Sequence, residues 1–197
     1  MWNTPPPNMP NRCLGCFLPL RVCICAEIPR LKSPVPLLLL RHVKERWKGS
    51  NSARLAMLAL PEARMIEVGA KGERFDPSPL QAPGTALLFP VGENGMAWSE
   101  VRQLVVLDGT WAQARHMSQR VPGVPTLPRV ALPRPDQAID RLRSQHLREG
   151  MATLEAIAAA VAALGDPEAG LQLQEVYHRF VRASLSQGGA AADPGPR

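Results

Sequence analysis

Four short runs of mainly apolar or β-branched residues, Val35 to Leu40, Met65 to Val68, Ala86 to Phe89 and Leu104 to Leu107, punctuate the chain, each bounded by glycine, proline or charge. Runs this short and continuous predict strands buried on both faces, as in a parallel sheet. Pro125 to Ala131 reads as a further strand. Helical stretches are expected over Ser52 to Leu60, Trp111 to Arg120, Thr153 to Leu164 and Glu168 to Leu185, with Asn51 or Ser52 placed to cap the first. Strands interleaved with helices predict an α/β fold, a mostly parallel sheet with helices on both faces. The stretch TLEAIAAAVAAL is alanine-rich, which favours helix and close packing, and the polar loop before it is a candidate ligand wall.

The sequence LVVLDGTWAQARHM, Leu104 to Met117, carries the sharpest transition: a wholly apolar run ends in an acid, a glycine and a Thr-Trp pair before helical spacing begins. Ligands bind beyond the carboxyl ends of parallel strands, where loops and helix amino termini converge. Asp108 is therefore the first candidate for chemistry. In the competing structural reading Asp108 caps the helix, Gly109 makes the turn and Trp111 fills the core.

At 197 residues and 45% hydrophobic, the chain can bury one sizeable core. No apolar run reaches membrane-spanning length, and no charged, apolar and cleavable leader opens the sequence, so a cytoplasmic protein without a membrane partner is expected. Met1 to Asn11 and Gln187 to Arg197 have the composition of a flexible lead and a disordered tail. The net charge of +6 suits a polyanionic partner. Distribution sharpens this, because RHVKERWKGSNSAR from Arg41 to Arg54 gathers cations and Trp47 around a single acid. Such a segment can touch phosphates and stack on a base, or simply form a solvated face.

All the cysteines, Cys13, Cys16, Cys23 and Cys25, fall within RCLGCFLPLRVCIC. A CxxC pair followed closely by a second pair offers four thiolates to one tetrahedral cation, so a zinc knuckle over residues 12–30 is expected. Four protein ligands leave no position for a substrate. The metal is then structural, stapling a segment too short for its own core, and catalysis lies in the domain of residues 31–186.

In order along the chain stand the cysteine knuckle with Ile28-Pro29, HVKERWKGSNSA from His42, LLFP from Leu87, LDGTWAQARHM from Leu107 and LREGMATLEAIA from Leu147. With these motifs the chain resembles the DTW-domain proteins, transfer RNA uridine aminocarboxypropyltransferases of the SPOUT-like superfamily, from Arg12 to Leu185. The resemblance implies a carboxy-terminal trefoil knot, S-adenosylmethionine as donor, and transfer of its 3-amino-3-carboxypropyl group to N3 of a uridine in tRNA. It implies a cofactor pocket from Leu88, Phe89, Pro90, Leu107, Gly109, Thr110, Trp111, Leu147, Thr153 and Glu155. Asp108 would then be the catalytic base or orient the uracil, and Arg41, His42, Lys44, Lys48, Asn51 and Arg115 would meet RNA. A monomer is expected. The family commonly has Ser where Ala152 stands, which weakens the expected cap of the following helix by about 1 kcal/mol. Two alternatives remain open at this point: a SPOUT-type RNA methyltransferase, and a zinc-knuckle RNA-binding protein without chemistry.

Overall fold

The computed structural model describes residues 11–90, 95–132 and 151–186. Five strands, β1 (Leu37–His42), β2 (Arg64–Val68), β3 (Thr85–Leu88), β4 (Gln103–Asp108) and β5 (Arg129–Val130), form one sheet in the order β2-β1-β4-β3-β5. Every pairing is parallel. Four α-helices complete it: α1 (Ala53–Ala59), α2 (Trp111–Arg120), α3 (Thr153–Ala163) and α4 (Pro167–Leu185).

Because side chains alternate along a strand, the apolar runs of β1 and β4 supply two cores at once. Leu37, Leu39, Leu104 and Val106 pack with α1, α3 and α4. Leu38, Leu40, Val105 and Leu107 pack on the opposite face with Ala114 and Met117 of α2. Both faces are therefore covered, the condition that permits strands without polar alternation. The cysteine segment is not a separate body, since Cys16, Leu18 and Ile24 are buried in the first of these cores.

Helices α3 and α4 pack closely against each other. At Gly170 an added Cβ would meet the Ala158 carbonyl oxygen at 2.8 Å and the Ala162 methyl at 2.9 Å. The alanine run of α3 thus has a structural reason: small side chains let the two backbones approach.

The expected fifth strand is reduced to two residues. It pairs with β3 through Leu87 opposite Arg129 and Leu88 opposite Val130. Most of the expected lead, the expected tail and the β5–α3 connection at 133–150 lie outside the described residues, and so does Leu147. No helix among the described residues is long and apolar enough to cross a membrane.

Candidate functional site

Alternation fixes where Asp108 points. Leu107 faces α2, so Asp108, the last residue of β4, turns to the face of α1 and α3 and is only 2% exposed. There its carboxylate accepts from the loop leading into α1 and from the first residue of α3. Asn51 Nδ2 donates to Oδ2 at 2.6 Å, and Thr153 Oγ1 donates to Oδ1 at 2.8 Å. Burial raises the Asp108 pKa above its ordinary value; the two hydrogen bonds and Arg41 oppose the rise, and Glu45 adds to it. One hydrogen bond to each oxygen leaves each a second acceptor position. Asn51 Oδ1 is buried and has no hydrogen-bond partner among the described residues.

The loop around Asp108 borrows its caps. Ser52 stands at the N-cap of α1, yet its side chain makes no bond to that helix. Its Oγ instead accepts from Leu154 N at 3.2 Å, in the first turn of α3. Neither Asn51 nor Ser52 therefore caps α1 by its side chain, contrary to the expectation: both are drawn to groups at the start of α3 or the end of β4. Glu155 accepts from Ala152 N at 2.7 Å, which is the reciprocal half of a capping box, and is itself buried. Ala152 has no oxygen for the other half, and Ser52 supplies a hydroxyl to the same helix terminus.

On the α2 side of the strand exits the residues are aromatic. Trp111 is 45% exposed, so the reading that placed it in the core is corrected. Its ring lies parallel to that of Phe89, with centroids 5.4 Å apart, and the Arg129 guanidinium sits over the Phe89 ring at 5.2 Å. Thr110 caps α2, accepting from Gln113 N at 3.3 Å while its own N–H donates to Gln113 Oε1 at 2.6 Å. A Cβ at Gly109 would lie 3.0 Å from Gln113, so the close approach this glycine permits is that of the capping side chain. Pro90 is exposed, Leu88 is partly buried and Leu107 is in the core. Arg129 and Gln113 were not singled out in the sequence. Arg129 sits in a two-residue strand with no apolar run to announce it.

The basic segment is only partly a surface. Arg41 is fully buried and Asn51 nearly so, so neither of these two RNA-contact candidates faces solvent in this structure. Arg41 and Arg46 both pair with Glu67, and Lys48 donates to the buried Glu45 at 2.9 Å. Arg54 is buried too, with its guanidinium 3.3 Å from the Phe17 ring centroid and Nη2 donating to the Arg46 carbonyl at 2.9 Å. Burial and the neighbouring Arg41 pull its pKa down to about 9, opposed by Asp108 and Cys16. His42 is half-buried, its Nδ1 accepting from Lys44 N at 3.2 Å, and burial lowers its pKa. Lys44 and Arg115 are exposed.

The cysteines converge as the spacing predicts. All four sulfurs lie within 4.8 Å of one another, with Cys13 to Cys25 at 3.5 Å and Cys16 to Cys23 at 3.8 Å. A tetrahedron with metal–sulfur bonds of about 2.3 Å has edges of about 3.8 Å, so the donor set fits a zinc-sized ion. A Cβ on Gly15 would lie 2.9 Å from Cys25 Sγ, which reserves the centre of the knuckle for sulfur. Burial pushes the Cys16 thiol up to about 11. For Cys13 burial is outweighed by the backbone amides of Cys16 and Gly15 and the neighbouring thiols, which bring it down to about 7.

Comparison with known proteins supplies a frame for this arrangement. The DTW domain model matches residues 10–185. A fruit fly (Drosophila melanogaster) protein named tRNA-uridine aminocarboxypropyltransferase 2 is 28% identical over 200 residues, covering 93% of this chain and 78% of the relative. No solved structure matches the chain.

Proposed function

This chain belongs to the DTW-domain family, and on that footing we propose that it transfers the 3-amino-3-carboxypropyl group of S-adenosylmethionine to N3 of a uridine in tRNA. The observation that carries the reading is the pairing, across the strand exits, of a buried carboxyl held by Asn51 and Thr153 with an exposed indole stacked on a second ring. The name of the fruit fly relative supports the same activity.

In the proposed reaction uridine N3 attacks the methionine γ-carbon, the N–C bond forms as the S–C bond breaks, and the bonding pair returns to sulfur, leaving neutral 5'-methylthioadenosine. The N3 proton must leave, and the Asp108 carboxylate is the group assigned to take it. A base with a raised pKa holds such a proton better than an ordinary carboxylate, and each of its oxygens keeps an acceptor position. Asn51 and Thr153 fix the carboxylate's orientation, and Trp111 with Phe89 offers a flat face for the adenine or the uracil. Orientation decides the product, because presenting the sulfonium methyl instead of the γ-carbon would give methylation. Gly109, Thr110, Leu107, Leu88, Pro90 and Leu147 remain proposed walls of the donor pocket. The four thiolates would hold zinc as a structural ion, with no step of the transfer passing through it. A SPOUT-like fold with a carboxy-terminal trefoil knot is part of the same proposal, supported by the parallel sheet and the order of the motifs.

The test uses S-adenosylmethionine labelled in either the methyl or the carboxyl carbon, incubated with the protein and unmodified tRNA. Carboxyl label alone in the RNA is the expected result. Methyl label would replace the reading with methylation, and no label in any RNA, with no saturable donor binding, would replace it with a non-catalytic binding protein.

A further inference from the structure

The face that receives the RNA can be located, given the reading above that the substrate is tRNA. The segment richest in cations is a poor candidate once its pairing is known. Arg41 and Arg46 meet at Glu67, Lys48 is bound to Glu45, and Arg54 lies buried on Phe17. A cation already neutralised by a fixed carboxylate releases little counterion when a phosphate approaches. Of that segment Lys44 is exposed and has no carboxylate partner among the described residues.

Helix α2 is the opposite case. Its sequence WAQARHMSQR holds no acid, and Trp111, Arg115, His116 and Arg120 are all exposed. No carboxylate among the described residues pairs with Arg115, Arg120 or Arg129. The groups are also contiguous. Arg129 lies over Phe89, Phe89 stacks on Trp111, and Arg115 follows Trp111 by four residues and so shares its side of the helix. At the other end His116 lies close enough to His42 to disfavour its proton, and Lys44 is hydrogen-bonded through its N–H to His42.

We infer that this strip, running from Arg129 past Trp111 and Arg115 to His116 and Lys44, is the surface on which the RNA backbone lies during transfer. Among the described residues its cations have no carboxylate partner, it crosses the outer ends of β3, β4 and β1, and it brings phosphates alongside the stacked rings and the loop that follows Asp108. An exposed indole among arginines suits a nucleic acid, where bases stack and phosphates pair, better than an acidic peptide.

The experiment measures equilibrium binding of unmodified tRNA across a salt series for the wild type, for Arg115→Ala/Arg129→Ala, and for Arg64→Ala, an exposed arginine at the opposite end of the sheet. Circular dichroism and thermal melting check that each variant is folded. The double variant is expected to bind roughly tenfold more weakly near physiological salt, with the slope of log affinity against log salt reduced by about two, and Arg64→Ala to match the wild type. A folded double variant with wild-type affinity and slope overturns the surface, as does an equal loss from Arg64→Ala. Wild-type transfer of carboxyl label is read in parallel: a wild type that modifies tRNA while the double variant binds normally refutes the surface alone. A wild type that neither binds nor modifies tRNA refutes the proposed substrate, and the surface with it.

Discussion

Asp108 is held in place by partners 57 and 45 residues away in sequence. The strand exit drew attention to it but suited a helix cap equally well, and only the fold shows that Thr110 takes the cap of α2; Asn51 and Thr153 carry no local pattern that links them to Asp108. Replacing Asp108 by Asn keeps the shape and would remove the proposed base. The expected result is retained S-adenosylmethionine binding, measured by calorimetry, with transfer slowed about 10²- to 10⁴-fold. Stability gives an independent reading. Burial raises the Asp108 pKa, so between its ordinary value of 3.8 and the folded value the native state binds more protons than the unfolded one. Native stability contributed by this group therefore falls as pH rises through that window, and stays lowered above it. The difference in unfolding free energy, wild type minus Asp108→Asn, should decline as pH increases from about 4; a difference that grew with pH would mean the carboxylate is stabilised by its surroundings.

Among the elements, periodicity was a good guide to which segments became strands and helices, and a poor one to how their ends are satisfied. The runs around β1 to β4 declared themselves because a sheet covered on both faces demands unbroken hydrophobicity, whereas β5 is too short to carry any pattern. End chemistry crosses elements: the hydroxyl at the start of α1 serves the start of α3. Ser52→Ala should accordingly cost about 1 kcal/mol in chemical denaturation, by leaving a buried N–H without its acceptor. Ala152→Ser should add about 1 kcal/mol, completing the capping box that Glu155 already half forms. Gly170→Ala pits two effects against each other in α4. Helix propensity favours alanine by about 1 kcal/mol. The new methyl would sit 2.8 Å from a backbone carbonyl that cannot swing away, and overpacking of that kind costs roughly 1 to 3 kcal/mol. Net destabilisation of up to about 2 kcal/mol is expected, and a stabilised variant would show that α3 and α4 can separate without penalty.

At the scale of the whole molecule, charge is where the sequence and the fold part company. A basic run reads as a surface, and only the fold shows that Glu67, distant in sequence on β2, takes up two of its arginines. A third, Arg54, is covered by Phe17 from the cysteine knuckle, which links the amino-terminal segment to the helix that follows Asn51. The cysteine spacing, by contrast, was sufficient because four ligands in so short a stretch have one compact solution. These two facts together predict what a metal held by the four thiolates would do. Cys16, Leu18 and Ile24 belong to the core shared by α1, α3 and α4, and Phe17 covers the buried Arg54, so opening the knuckle would expose apolar surface and uncover a buried cation at the same time. Purified protein should carry one zinc per chain by elemental analysis. Stripping it with a chelator should lower the melting temperature by at least about 10 °C, since a loss of several kcal/mol shifts a chain of this size by about 2 to 4 °C per kcal/mol. Cys16→Ser should reproduce the loss without chelator, and readdition of zinc should restore the stripped wild type but not that variant. A stripped protein that melts with the native one would mean that packing of Leu18, Ile24 and Phe17 holds the knuckle closed without the ion.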